Sequence, residues 1–438
     1  MKLFSVWRAL ACACSAATAR FSALLLALSL PLMVLAQDPP DAELRATTPG
    51  KLMIIGGALR FDNAEVWQSM LQAATRQTGK PVRIAVIASA AAQPQQTGQR
   101  LQRVLQGYGA DAYVLDLPAQ PWPQSELSQT EATRQQRVLE KLQQADAVFF
   151  SGGDQRRIVA ALRYADGSAS PVLKAIWALY QRGGLIAGTS AGAAIMSELM
   201  FADPGSVLTV MQQGAHMNRE LAYGLGFIGP DIFVDQHFLI RGRLGRMLAA
   251  LSATAYAHGL GIDENTALLI EGQRYAQVFG YKGVMLVSMP AAANKPATTP
   301  KTPLQIQAAR LSYLSHGDKL DLHTWQITPA ADKQVLPAQS NPEAGQSASR
   351  YADVLANTVV PEMMLQLMDS PLKSLSGLAL DVAAESDSLG FELTLSKIPQ
   401  SRAFYSAASG MTQYAIIDLQ LDLRPLNVAP LSYQVLAK

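Results

Sequence analysis

The sequence predicts an α/β fold, a three-layer sandwich in which helices cover both faces of a mainly parallel β-sheet. Three observations carry this reading. Short apolar runs recur from Lys51 onward and are apolar at consecutive positions, the mark of strands buried on both faces. Segments with apolar residues at helical spacing lie between them, so strand and helix alternate along the chain. Glycines gather where the strands end, at the edge where the ligand sites of such sheets form.

In order, "KLMIIGGALR" reads as a strand ending in glycines, followed by a helix in "NAEVWQSMLQAATRQTG" and a second buried strand in "PVRIAVIASA". The alternation continues through helix "TGQRLQRVLQGYG", strand "AYVLDL", helix "SQTEATRQQRVLEKLQQA" and strand "DAVFFSGGD". A helix in "SPVLKAIWALYQRGG" then leads to strand "GLIAGTS". Further on, "DIFV" is a strand and "RGRLGRMLAALSATA" a helix, and "GLGIDENTALLIEGQRYAQVFG" reads as two strands turning at "EGQ". "QIQAARLSYLSHGDKLDLHTWQI" returns to strand-like alternation.

Residues 50–330 are therefore expected to form the main domain, with a Pro/Thr-rich insertion at 291–303. A soft stretch at 331–349 reads as a linker, and residues 350–438 as a small C-terminal α+β extension packed on the main domain. That tail holds a helix, "VVPEMMLQLMDSP", and strands "GFELTLSK" and "QYAIIDLQLDLRPL". Homodimer formation is one role open to this tail.

Residues 1–36 have the plan of a secretory signal peptide. Lys2, Arg8 and Arg20 precede the apolar run, and small residues before Gln37 predict cleavage after Ala36. Residues 37–49 follow as a polar leader. The expected location is secreted or periplasmic, with no membrane attachment once the signal is removed. Cys12 and Cys14 both lie upstream of the expected cut, so disulfides, thiolate metal sites and cysteine nucleophiles are excluded from the mature chain. With 36 basic and 34 acidic residues the net charge is +2, which gives no footprint for nucleic acid. Neither a cofactor nor a metal is expected, because no zinc-helix histidine pair and no phosphate-loop pattern occurs.

"GTSAG", residues 188–192, places Ser190 where a strand turns abruptly into a helix, with glycines on both sides to remove colliding side chains. Such a serine is a candidate nucleophile, and the N–H of Ala191 a candidate oxyanion donor. The plainer alternative is a helix N-cap. Among the histidines, His237 stands out, because Asp235, Gln236 and His237 arrive together at the end of the apolar strand "DIFV". The acid that would orient it is Asp235, Asp263 or Glu264; adjacent Asp263 and Glu264 point to opposite sides of a strand, and spacing does not choose between them. "SGGDQRR" offers Gly153 or Asp154 as the second oxyanion donor. Arg241, Arg243 and Arg246, just beyond His237, point to an anionic substrate.

Taken in order, "FFSGGDQRRI", "AGTSAGAAIMS", "VDQHFLIRGRLGRM" and "GIDENTALLI" resemble the cyanophycinase branch of the aspartyl dipeptidase-like serine peptidases, over residues 50–325. The resemblance implies a class I glutamine amidotransferase-like (flavodoxin-like) fold, with Ser190 as nucleophile, His237 as base and Glu264 as the orienting acid. It further implies that Gln155, Asp235, Gln236, Arg241, Arg243 and Arg246 shape the substrate pocket, with Asp235 a candidate partner for a substrate guanidinium. The implied substrate is cyanophycin, a poly-aspartate whose side chains carry arginine, cut to β-aspartyl-arginine dipeptides. The competing readings are a secreted aspartyl or isoaspartyl peptidase and a non-catalytic binding module of the same fold.

Overall fold

The computed structural model describes residues 50–75, 79–254, 256–290, 303–337, 350–384, 387–408 and 412–429. The expected signal and leader lie outside the described residues, as do 291–302 of the insertion and 338–349 of the linker. All described residues belong to one compact unit.

The expected alternation builds the first half of a nine-stranded sheet. Strands β1 (Lys51–Ile55), β2 (Arg83–Ile87), β3 (Asp111–Val114), β4 (Ala147–Phe150) and β5 (Leu185–Thr189) lie parallel in the order β1-β5-β4-β2-β3. Helices α1 (Ala64–Ala74) and α2 (Pro94–Gly107) cover one face; α3 (Gln129–Gln144), α4 (Gln155–Leu162) and α5 (Pro171–Gln181) cover the other. Successive strand residues serve opposite layers: Leu52 and Ile54 pack with Ile176 and Trp177, whereas Met53 and Ile55 pack with Trp67 and Met70. That division of consecutive apolar residues is why these strands show no polar alternation. The helix starts are made locally, α3 by a capping box between Ser128 and Glu131 and α5 by Ser170 ahead of Pro171.

A four-residue helix α6 (Ala191–Ala194) leads to a two-stranded ribbon, β6 (Leu199–Phe201) with β7 (Leu221–Tyr223), which flanks α7 (Val207–Gln213). β8 (Ile232–Gln236), α8 (Leu244–Thr254) and β9 (His258–Ile262) follow. β10 (Thr266–Glu271) then pairs antiparallel with β1. β11 (Tyr275–Gly280), β14 (Lys319–Asp321) and β15 (Gln326–Thr328) continue outward from it, so the first sheet is parallel over five strands and antiparallel over four.

A second nine-stranded sheet corrects the expected domain plan. β12 (Gly283–Ser288) and β13 (Ile306–Ser315) extend β8 and β9, and β13 pairs with the long C-terminal strand β20 (Gln413–Val428). On its other edge β20 pairs with β18 (Ser388–Ser396) and β19 (Arg402–Ser406). β17 (Ser374–Ala379) pairs with β18, while α9 (Val359–Met368) packs beneath. β16 (Gln334–Val335), inside the expected linker, pairs with β19. Strands β17–β20 therefore belong to a sheet shared with the main domain, so the described part of 350–438 is not an appendage placed upon it. Sequence periodicity reports a strand's two faces and carries nothing about which strand lies beside it. No helix among the described residues is long and apolar enough to cross a membrane.

Candidate active site

Parallel register brings the glycine-bearing strand ends together, Ile55 beside Thr189 and Phe150 beside Gly188. At this edge Ser190 has φ 54° and ψ −111°, a conformation that L residues occupy only under strain. The strain is held by contact. Ser190 donates its N–H to Ile55 O at 3.0 Å, and a Cβ on Gly188 would stand 2.2 Å from Gly192 O. One on Gly192 would stand 2.5 Å from Phe150 O. Only the two glycines let strand, turn and helix come this close, and the serine hydroxyl is lifted above the sheet. The side chain makes no cap hydrogen bond to α6.

His237 follows β8 with φ 48° and donates its N–H to Gly56 O at 2.7 Å. Its Nε2 lies 2.8 Å from Ser190 Oγ and its Nδ1 2.6 Å from Glu264 Oε1. Among the three candidate acids, the fold separates the roles. Glu264 meets the imidazole; Asp263 is fully buried and lies 3.1 Å from Lys282 Nζ; Asp235 turns to two arginines. Burial pulls the His237 pKa below its ordinary 6.5, opposed by the hydrogen bond to Glu264 and reinforced by Arg241. The imidazole is thus neutral at pH 7 and able to accept a proton, while Glu264 holds the other nitrogen in its N–H form.

The N–H groups of Ala191 and Gly153 have no acceptor among the described residues and border Ser190. Asp154, the other expected oxyanion donor, is corrected: its N–H is donated to Ala90 O at 2.9 Å, and its carboxylate caps α4 and pairs with Arg156. Gly153 makes that loop possible, since at φ 141° a Cβ would stand 2.0 Å from Ala90 O.

Beside Ser190 opens a polar cavity of about 430 Å³, lined by Gly153, Gln155, Gln236, Arg241, Arg243 and Arg246, with Phe201 and Pro204 closing it. Asp235, 2% exposed, accepts from Arg243 Nη1 at 3.0 Å and from Arg246 Nε and Nη2 at 2.7 and 2.6 Å. Burial opposes its charge, yet the fields of Arg246 and Arg243 outweigh it and hold the carboxyl below its usual range. Burial pushes Arg243 down to about 10, which leaves it charged at neutral pH. Asp235 is thus occupied by the protein's own guanidiniums, which corrects its reading as a receptor for a substrate guanidinium. Arg246 also stacks over Phe201 at 4.3 Å, and Gln155 donates to Phe201 O at 2.6 Å. Arg241 is exposed and has no carboxylate partner among the described residues.

Three features escape the sequence reading. Gly57 is one, because a Cβ there would stand 2.3 Å from the His237 ring; its only signal is the glycine pair after β1. Phe201, floor of the arginine pocket, sits in an unremarked apolar run. The third is an apolar cleft of about 230 Å³ on the His237 side of Ser190, lined by Leu59, Phe61, Trp67 and Phe149. Among the described residues no group of three His, Cys, Asp or Glu side chains is arranged to hold a metal.

The model of peptidase family S51 matches residues 52–278, a span that includes Ser190, His237 and Glu264. Cyanophycinase of Nostoc sp. is 33% identical over 294 residues, 65% of this chain and 90% of its own. That of Geminocystis herdmanii is 34% identical over 283 residues, 63% of this chain and 94% of its own. A solved peptidase from an acI-B1 Actinobacterium is 20% identical with a TM-score of 0.44, covering 63% of this chain and 98% of its own. Half of the chain thus follows the family model, and the curated relatives are matched over nearly their whole length. The chain belongs to peptidase family S51 and is a serine peptidase.

Proposed function

We propose that this chain is a secreted exopeptidase that hydrolyses cyanophycin to β-aspartyl-arginine dipeptides, with Ser190, His237 and Glu264 as its catalytic triad. The observation that carries the reading is the unbroken relay from Ser190 Oγ through His237 to Glu264, at the mouth of a cavity lined by three arginines. His237 Nε2 takes the Ser190 proton as Oγ attacks a backbone carbonyl of the poly-aspartate, and the N–H groups of Gly153 and Ala191 hold the oxyanion. His237 then protonates the departing amine, and the carbonyl stays on Ser190 as an ester. Water, deprotonated by His237, cleaves the ester and restores the serine. Guanidiniums bind carboxylates bidentately, so the arginine pocket suits an aspartyl or terminal carboxylate of the polymer. Secretion rests on the basic and apolar pattern of residues 1–36.

Incubation with insoluble cyanophycin tests the substrate. Clearing of the suspension with release of β-aspartyl-arginine is expected. A suspension that stays turbid while short aspartyl peptides are cleaved would replace this reading by that of an acidic-peptide peptidase, whose carboxylates would suit the same arginines. Recovery of mature protein beginning at Gln37 from the periplasm or medium is the matching test of export.

A further inference from the structure

Two of the pocket arginines are held by Asp235, but Arg241 is not, and its position depends on the course of its own backbone. That backbone is pressed from outside the family-matched span. Gly242 has φ 57°, and a Cβ on it would stand 2.1 Å from Leu355 O. The carbonyl is itself fixed: Leu355 donates its N–H to Asp353 Oδ1 at 2.9 Å, and Val354 donates to Leu378 O at 2.8 Å. Tyr351 exchanges backbone hydrogen bonds with Ser376 and Leu378, so residues 351–354 hang on β17. Val354 is buried against Gly377, within a core shared with Leu239 and Leu244 on either side of the arginine loop. A second tie runs from Gln212 Nε2 to Leu389 O at 2.7 Å.

We infer that the C-terminal segment is a positioning element of the substrate pocket: Leu355, suspended from β17, sets the path of Arg241–Gly242–Arg243 and so places the one pocket guanidinium that, among the described residues, no ion pair restrains. The inference rests on the proposed role of the arginines in binding the anionic substrate. The segment acts through Arg241 and touches neither substrate nor triad.

The test uses the full-length enzyme, with kcat and KM for cyanophycin measured beside the rate at which a small fluorophosphonate reacts with Ser190. Gly242→Ala inserts a methyl into the contact and is expected to raise KM about tenfold, the scale of one lost charge-assisted contact. Its kcat and phosphonylation rate should stay within about twofold of the parent, because both depend on transition-state groups the change leaves in place. Asp353→Ala, an exposed change that frees the Leu355 turn, should shift KM the same way by less, and decides the matter if Gly242→Ala fails to fold. Unchanged KM in a folded variant overturns the inference, as does a parallel fall in phosphonylation, which would mean the contact serves His237. Arg241→Gln separates the two levels. If it leaves KM unaltered, the arginine-pocket reading falls and this inference with it; if it raises KM while Gly242→Ala does not, only the bracing role falls.

Discussion

At the scale of single residues, the proposed mechanism turns on a histidine, His237, kept neutral by burial. Since His237 titrates below 6.5, the acid limb of kcat/KM is expected below that pH, measured from rate profiles between acid and neutral pH. Glu264 raises that pKa, so Glu264→Gln should move the limb further down while lowering kcat by about 10²–10⁴-fold; an upward movement would mean the carboxylate does not face the ring. The same shift acts on stability: the unfolded chain protonates its imidazole first as pH falls, so folding free energy is lost below 6.5. Ser190→Ala should reduce turnover at least about 10⁴-fold and leave polymer binding intact, read by kinetics beside a granule pull-down. The position of Ser190 was legible because its glycines answer a steric demand within five residues. The choice of Glu264 over Asp263 was not, since it depends on which way the chain turns after β9, and only the packed structure, or a likeness to relatives, carries that.

Elements matter here chiefly as devices for bringing distant loops into contact. The parallel strands were readable because burial on both faces removes polar alternation, and their carboxyl ends were the right place to look. Short strands such as β17 and β19 passed unread, since serines and a glycine interrupt the first and the second, RAFYS, is neither apolar throughout nor alternating. Gly57 shows what loop proximity hides. No local pattern ties it to His237, yet the ring rests on its bare α-carbon, at φ 117°. Gly57→Ala is therefore expected to keep its secondary structure by circular dichroism and, with His237 as the proposed base, to lose about 10²-fold in kcat, the usual result of moving such a group by an ångström. Full activity in a folded variant would show that the β1 loop yields to the added methyl.

For the whole molecule, the decisive fact is that the second sheet is completed from the C-terminal region. Lys333, within the expected linker, is buried against Asp318 at 2.7 Å and donates to Ser315 Oγ. Burial pushes both groups toward their neutral forms, Asp318 upward and Lys333 downward, yet each offsets the other's charge. Lys333→Met leaves the buried carboxylate without its countercharge, held only by the N–H groups of Ser315 and Ala330, and should destabilise the protein by about 3–5 kcal/mol in urea unfolding at pH 7. The loss should shrink in acid, where Asp318 takes up a proton; a pH-independent difference would point to packing instead. The linker looked soft because its Pro, Ser and Gln content is that of a loop, and composition does not register one lysine reaching inward. β20 adds a consequence in time. Residues 413–428 occupy the interior of their sheet, between β13 on one side and β18 with β19 on the other, so that layer stays open until these residues have left the ribosome. The parallel strands that carry Ser190 can assemble earlier, from pairings nearer in sequence. Synthesis thus delivers the strand that carries Ser190 well before the one that fills the second sheet.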